Sequence, residues 1–206
     1  MRLGYGLVSL TPVIALFAAC SPATPVAQAP AAAPAAQTAP AQTPAERGKY
    51  LVTVAGCDDC HSPKVFKPAG PEPDMTRRLS GHPAGDKLPK TPPGVLAPDK
   101  FGALASNDFT AWVGPWGTSY TMNLTPDKAT GLGSWTEAMF MKAIRTGKHQ
   151  GEGRPILPPM PWPQIMQMTD DDLKAVWAFL QTLPPIQNAI PDPVPPPGAP
   201  PAAPTK

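Results

Sequence analysis

The chain has 206 residues, a formal net charge of +2 and 33 prolines, densest near its two ends. The small charge, with no run of Lys or Arg, excludes a nucleic-acid-binding protein. The Ala/Pro-rich ends cannot bury enough apolar surface to form a core, so the length reduces to one folding unit of ordinary domain size, residues 44–190.

In chain order, Arg2 precedes the apolar run LVSLTPVIALFAA from Leu7 to Ala19, which is followed by Cys20. This is the layout of a signal peptide (residues 1–19), too short for a retained spanning helix. Phe17, Ala18 and Ala19 before Cys20 give it the form of a lipoprotein signal. The expectation is a lipidated Cys20, tethered to a membrane on the periplasmic side of a Gram-negative bacterium. Residues 20–43, rich in Ala and Pro and without charge over Ser21–Pro44, read as a solvated linker.

Thr43-Pro44-Ala45-Glu46 supplies an N-cap, a proline at the first helical position and a glutamate that closes a capping box. A helix should run from there to about Ala55. Gly48 inside it costs about 1 kcal/mol relative to alanine. Its presence therefore predicts that another backbone or an aromatic ring approaches closely there.

Residues 57–61 read C-D-D-C-H. Two thiols three positions apart can each form a thioether with a vinyl group of haem, and the adjacent His61 then lies beneath the iron as its proximal ligand. The same letters serve thioredoxin-like dithiol chemistry, but that expects a preceding strand, and here a helical pattern precedes the motif. A structural zinc site needs four ligands, and only His82 and His149 remain to supply them, at unsuitable spacing. The sequence holds three cysteines and one C-x-x-C-H. The cofactor expectation is one covalent haem c on Cys57 and Cys60.

Residues 62–133 are rich in Pro and Gly. Their strand-like signals are Asp108–Val113 and Ser119–Leu124 around G-P-W-G, a short hairpin. A rigid haem would let this stretch bury Val65, Phe66, Leu96, Phe101, Trp116 and Tyr120 against its faces. Lys64, Lys67, Arg77, Arg78, Lys87 and Lys90 follow the motif and suit the steering of an acidic partner, although Glu72, Asp74 and Asp86 interrupt them.

A further helix is expected from Ser134, capped reciprocally by Glu137, to Gly147, with Arg145 and Lys148 at its negative pole. Of eight methionines, Met160 is the best sixth ligand, because the flanking prolines of R-P-I-L-P-P-M-P-W-P restrict the backbone that presents its sulfur. Met139 and Met141 sit in a helical pattern, and Met168 suits packing on Leu173. Met122 and Met166 remain candidates. Thr169 and Asp170–Asp172 cap a last helix whose apolar face is Leu173, Val176, Trp177 and Leu180, ended by Pro184 and Pro185. Its Trp177 or Phe179 would fill the Gly48 notch. Residues 191–206 read as a disordered Pro-rich tail.

The segments R-G-K-Y-L-V-T-V-A-G-C-D-D-C-H, N-L-T-P-D-K-A-T-G-L-G-S-W-T-E, P-P-M-P-W-P and M-T-D-D-D-L-K-A-V-W-A-F-L together resemble a class I c-type cytochrome. The second is similar to the cytochrome modules of periplasmic alcohol, aldehyde and sugar dehydrogenases. The resemblance implies an all-α cytochrome c fold with crossing N- and C-terminal helices around a covalent haem, beside which the residue pattern allows long loops and one short β-hairpin. It also implies His61 and Met160 as axial ligands and redox proteins as partners. The function expected is single-electron transfer between a dehydrogenase or respiratory complex and another carrier, not catalysis. The competing expectation is a peroxidase-like haem enzyme with a displaceable sixth ligand.

Overall fold

The computed structural model of the protein describes residues 42–199. The expected leader and lipidated Cys20 lie outside the described residues. Helix α1, Pro44–Val54, begins as the capping chemistry dictates. Thr43 Oγ1 accepts from the Glu46 backbone N–H at 3.3 Å, and the Glu46 carboxylate accepts from the Thr43 N–H at 2.8 Å. Helix α5, Asp170–Leu180, is capped by Thr169, whose hydroxyl accepts from the Asp172 N–H at 3.1 Å.

The two terminal helices pack at Gly48. A Cβ there would lie 1.9 Å from the Ala175 carbonyl oxygen and 2.8 Å from Phe179 Cβ. The notch is therefore required chiefly by the α5 backbone, not by a ring. Leu173, Ala175, Val176, Phe179 and Leu180 are buried. Trp177 turns aside and stacks on Phe140 with ring centroids 5.5 Å apart. A Gly48→Ala variant should be destabilised by about 3 kcal/mol, the scale of overpacking against an immovable backbone. A denaturant midpoint equal to wild type would show that the helices separate freely.

Helix α3, Glu137–Thr146, is capped by Thr136, whose hydroxyl accepts from the Met139 N–H at 3.2 Å. The expected cap, Ser134, instead ends a 3-10 turn, Leu132–Ser134. That turn is fixed from afar, by the Leu132 N–H donating to the Thr125 carbonyl at 2.8 Å. Gly147 closes α3 in the left-handed conformation at φ 65°. Arg145 donates to the Met166 and Met168 carbonyls and pairs with Asp170 at 2.5 Å, joining the end of α3 to the start of α5.

The remaining helices are short: α2, Cys57–His61, and α4, Trp162–Ile165. Two small sheets complete the described residues, where one hairpin was expected. Strands β1, Lys64–Lys67, and β2, Gly70–Pro73, form an antiparallel pair. Strands β3, Leu104–Ala105, β4, Ala111–Gly114, and β5, Gly117–Tyr120, lie in that order, with Ala111 opposite Tyr120. The expected hairpin around G-P-W-G is this β4–β5 pair, shorter than its apolar pattern suggested. The architecture is thus five α-helices with two small sheets, one sheet more than the single hairpin expected beside the helices. Phe66 and Phe101 are 58% and 62% exposed. They do not face the interior as expected, because each sits on an outer hairpin or bridge.

Asn123 is fully buried and ties the middle of the chain to its end. Its Oδ1 accepts from the Thr125 N–H and hydroxyl, at 3.0 and 2.7 Å, and its Nδ2 donates to the Ile186 carbonyl at 2.8 Å. Asn188 Nδ2 donates to the Ser80 and His82 carbonyls at 2.7 and 2.8 Å, and its Oδ1 accepts from the Ala84 N–H at 2.9 Å. Beyond it, Val194 exchanges two hydrogen bonds with Thr118, of 2.7 and 3.0 Å. The segment expected to be a disordered tail from residue 191 is docked on β5 as far as Val194.

Candidate haem site

Gly56, left-handed at φ 67°, breaks the chain after α1 and aims the single turn of α2 across its end. Cys57, Cys60 and His61 all line one cavity of about 300 Å³. Its walls are overwhelmingly apolar, Leu124, Leu132, Phe140, Ile144, Ile156 and Met160 among them.

His61 is 8% exposed, and its Nδ1 lies 2.8 Å from the Met122 carbonyl oxygen. A carbonyl only accepts, so Nδ1 carries the proton and Nε2 keeps its lone pair for a metal. Burial pushes the His61 pKa below its ordinary value, which favours the neutral, ligating form.

The floor under α2 is polar and fully paired. Arg78 Nη2 lies 2.6 Å from Asp58 Oδ2, Ser62 Oγ donates to Asp58 Oδ1 at 2.8 Å, and the Leu79 N–H donates to Ser62 Oγ at 2.9 Å. Burial works against the Asp58 carboxylate, but the hydrogen bonds from Arg78 and Ser62 outweigh it and hold its pKa below the usual range. Arg78 also lies over the Phe179 ring at 5.3 Å, tying this floor to α5. An Arg78→Met variant should lose about 2 kcal/mol, because a largely buried carboxylate then lacks its charged donor. Denaturant unfolding of the haem-loaded protein measures it, and an unchanged midpoint would show that water replaces the guanidinium.

Lys64 Nζ donates to the carbonyls of Asp58, Asp59 and Ser62 at 3.1, 2.9 and 2.5 Å, capping the C-terminal end of α2. Lys67 pairs with Glu72 and Arg77 with Asp74. Four of the six basic residues expected to steer a partner thus have local structural roles. Lys87 and Lys90 are exposed.

The alternatives for the cysteine motif fare poorly in this setting. Burial, then the Asp58 charge, pushes the Cys57 thiol up to about 11, and burial raises Cys60 as well. Dithiol exchange needs the opposite, a stabilised thiolate. Among the described residues no group of three or more His, Cys, Asp or Glu side chains could hold a metal ion. His82 bonds Thr110 Oγ1 at 2.8 Å and stacks on Tyr120, whereas His149 lies edge-on to Trp135 on the cavity wall.

Met160 and Met122 line the cavity, and Met122, like Met141, Met166 and Met168, also packs against the hydrophobic core. The Met160 loop is held at both flanks. Ser119 Oγ donates to the Pro158 carbonyl at 2.6 Å, and the Trp162 ring covers Gly147, where a Cβ would lie 2.5 Å from the indole. Sequence reasoning missed the Met122 carbonyl, which has no side-chain signature. It also missed the role of Arg78, whose partner is 20 residues away.

No protein-family model matches the chain. It is similar to the gluconate 2-dehydrogenase cytochrome c subunit of Pantoea cypripedii, 30% identical over 148 residues, covering 71% of this chain and 25% of that protein. It is 40% identical over 81 residues to the cytochrome c subunit of the quinone alcohol dehydrogenase of Gluconobacter oxydans, covering 38% of this chain and 17% of that subunit. A diheme cytochrome c-type protein of Cereibacter sphaeroides is 28% identical over 145 residues, covering 70% of this chain and 38% of that protein. The chain carries a cytochrome c module similar to those of dehydrogenase cytochrome subunits. It spans a quarter or less of the length of the two dehydrogenase subunits named.

The residues present fit the haem c that this likeness implies. Two thiols and an imidazole with a free Nε2 line an apolar cavity. On the same wall the Thr121 hydroxyl is buried without a partner, and Arg154 supplies a positive group suited to a carboxylate-bearing cofactor.

Proposed function

We propose that the chain is a one-electron carrier with a single haem c, attached through Cys57 and Cys60 and ligated by His61 and Met160. The observation that carries this reading is that all four side chains line one apolar cavity. When bound, haem c supplies an iron that alternates between ferrous and ferric states. The protein's part is positioning and exclusion of water. Met122 orients the His61 ring, the Asp58–Arg78–Ser62 network fixes the turn that carries both cysteines, and apolar walls keep the pocket dry.

The single C-x-x-C-H supports one haem, although a diheme relative exists. The partners we propose are a dehydrogenase or respiratory complex as donor and a second redox protein as acceptor, in keeping with relatives named as dehydrogenase subunits. Residues 1–19 act as a leader in this reading, and lipidated Cys20 tethers the domain to a membrane on the periplasmic side. Among the described residues no helix is long and apolar enough to cross a membrane.

A reduced-minus-oxidised visible spectrum with a pyridine haemochrome assay tests the proposal. One haem c per chain and a sulfur-to-iron charge-transfer band are expected. Rapid cyanide binding by a ferric protein without that band would replace this reading with a haem enzyme open at its sixth position.

A further inference from the structure

The chain does not end its structural work at α5. Pro184 and Pro185 follow that helix, and the nine residues Ile186–Val194 run back to β5. The Ile186 carbonyl is held by Asn123, and Asn188 is held by Ser80, His82 and Ala84. Val194 then pairs with Thr118 on β5, the strand whose Ser119 also holds the Met160 loop. The landing site is shaped for it. Gly117 has φ 94°, and a Cβ there would lie 2.0 Å from the Val194 carbonyl oxygen.

Two cavities locate what this segment covers. Pro193 lines the haem cavity itself. A second, more polar cavity of about 280 Å³ lies alongside, lined by Ala189, Ile190 and Asp192 of the segment. Tyr120, Met122, His149 and Arg154 line both cavities. Through these shared residues the second cavity adjoins the first as an antechamber, and the segment supplies Ala189, Ile190, Pro191 and Asp192 to its lining. Asp192 also places a carboxylate whose charge acts on half-buried Arg154 of that shared wall.

We infer that Ile186–Val194 is a strap that closes the antechamber and keeps small ligands from displacing Met160 at the iron. The inference rests on the haem ligation proposed above and deepens it, because it names what makes the site a carrier and not a ligand-binding enzyme. The chemistry gated is simple ligand exchange. An anion such as cyanide would replace the thioether sulfur on ferric iron, with no change in oxidation state.

The test uses the full-length, haem-loaded protein beside two variants. Val194→Pro removes the N–H that donates to the Thr118 carbonyl at 3.0 Å, and its neighbours are already proline. A chain stopped after Pro191 lacks Asp192, Pro193 and Val194 but keeps the Asn188 ties. Freeing the Asp192–Val194 end, by loss of one of its two hydrogen bonds to Thr118 in Val194→Pro and of both in the shortened chain, should speed cyanide binding to the ferric protein about tenfold or more. The unliganded charge-transfer band and haem content should stay at wild-type levels. Equal cyanide rates in all three proteins would overturn the gate. So would a parallel fall of haem content in both variants, which would make the strap part of the folding core. Failure of the ligation reading looks different, since full-length protein would then already lack the band.

Discussion

A Cys57→Ala/Cys60→Ala double variant is expected to carry no covalent haem and to lose cooperative unfolding. The cavity that both thiols line has a volume of about 300 Å³. Leaving such a volume empty costs at most roughly 7 kcal/mol at about 24 cal/mol per Å³, because the part open to solvent fills with water. Total domain stabilities are only about 5–15 kcal/mol. Leu132, Phe140 and Ile144 belong both to the cavity wall and to the core that α1 and α5 share, so loss of the filler weakens the whole core. Circular dichroism during thermal melting, with an acid-acetone extraction to detect released pigment, reads both effects. A sharp melt in the colourless variant would show that the apolar walls collapse onto one another and that no cofactor is needed as a nucleus.

Met160→Ala is expected to abolish the sulfur-to-iron band and to lower the midpoint potential by on the order of 0.2 V, within the span of about 0.8 V that axial ligation commands. A thioether favours ferrous iron, and water or hydroxide in its place favours ferric. Covalent haem content should be unchanged, because the proposed attachment through Cys57 and Cys60 does not involve Met160. Met122 provides the internal control, because it lines the same cavity but its carbonyl is committed to His61. Retention of the band in Met160→Ala and its loss in Met122→Ala would transfer the ligand role to Met122.

What the sequence disclosed was local chemistry. The Thr43–Glu46 box, the Thr169 cap and the Gly48 notch each depend on residues within one turn or on the absence of a side chain, and all three appear where expected. The C-x-x-C-H letters are likewise contiguous, and Cys57, Cys60 and His61 line one cavity. Other features depend on distant partners. Ser134 and Glu137 have the letters of a capping box, yet Thr125 recruits the preceding turn and moves the cap to Thr136.

The hairpin Lys64–Pro73 has no alternating apolar face to announce it, because most of its side chains are exposed. Lys64 and Arg78 looked like free surface charge, but each has polar partners around α2. Proline-rich composition from residue 191 argued for solvated chain. It could not reveal that β5 offers an open edge and a glycine that admits the Val194 carbonyl.

Asn188 reaches Ser80 across 108 residues of chain and Ala84 across 104. Ties of such span close late, because both ends must already be placed before the bonds return anything for the lost chain entropy. On the proposed attachment, late closure of these ties would leave Cys57, Cys60 and His61 open to haem delivery until the segment settles.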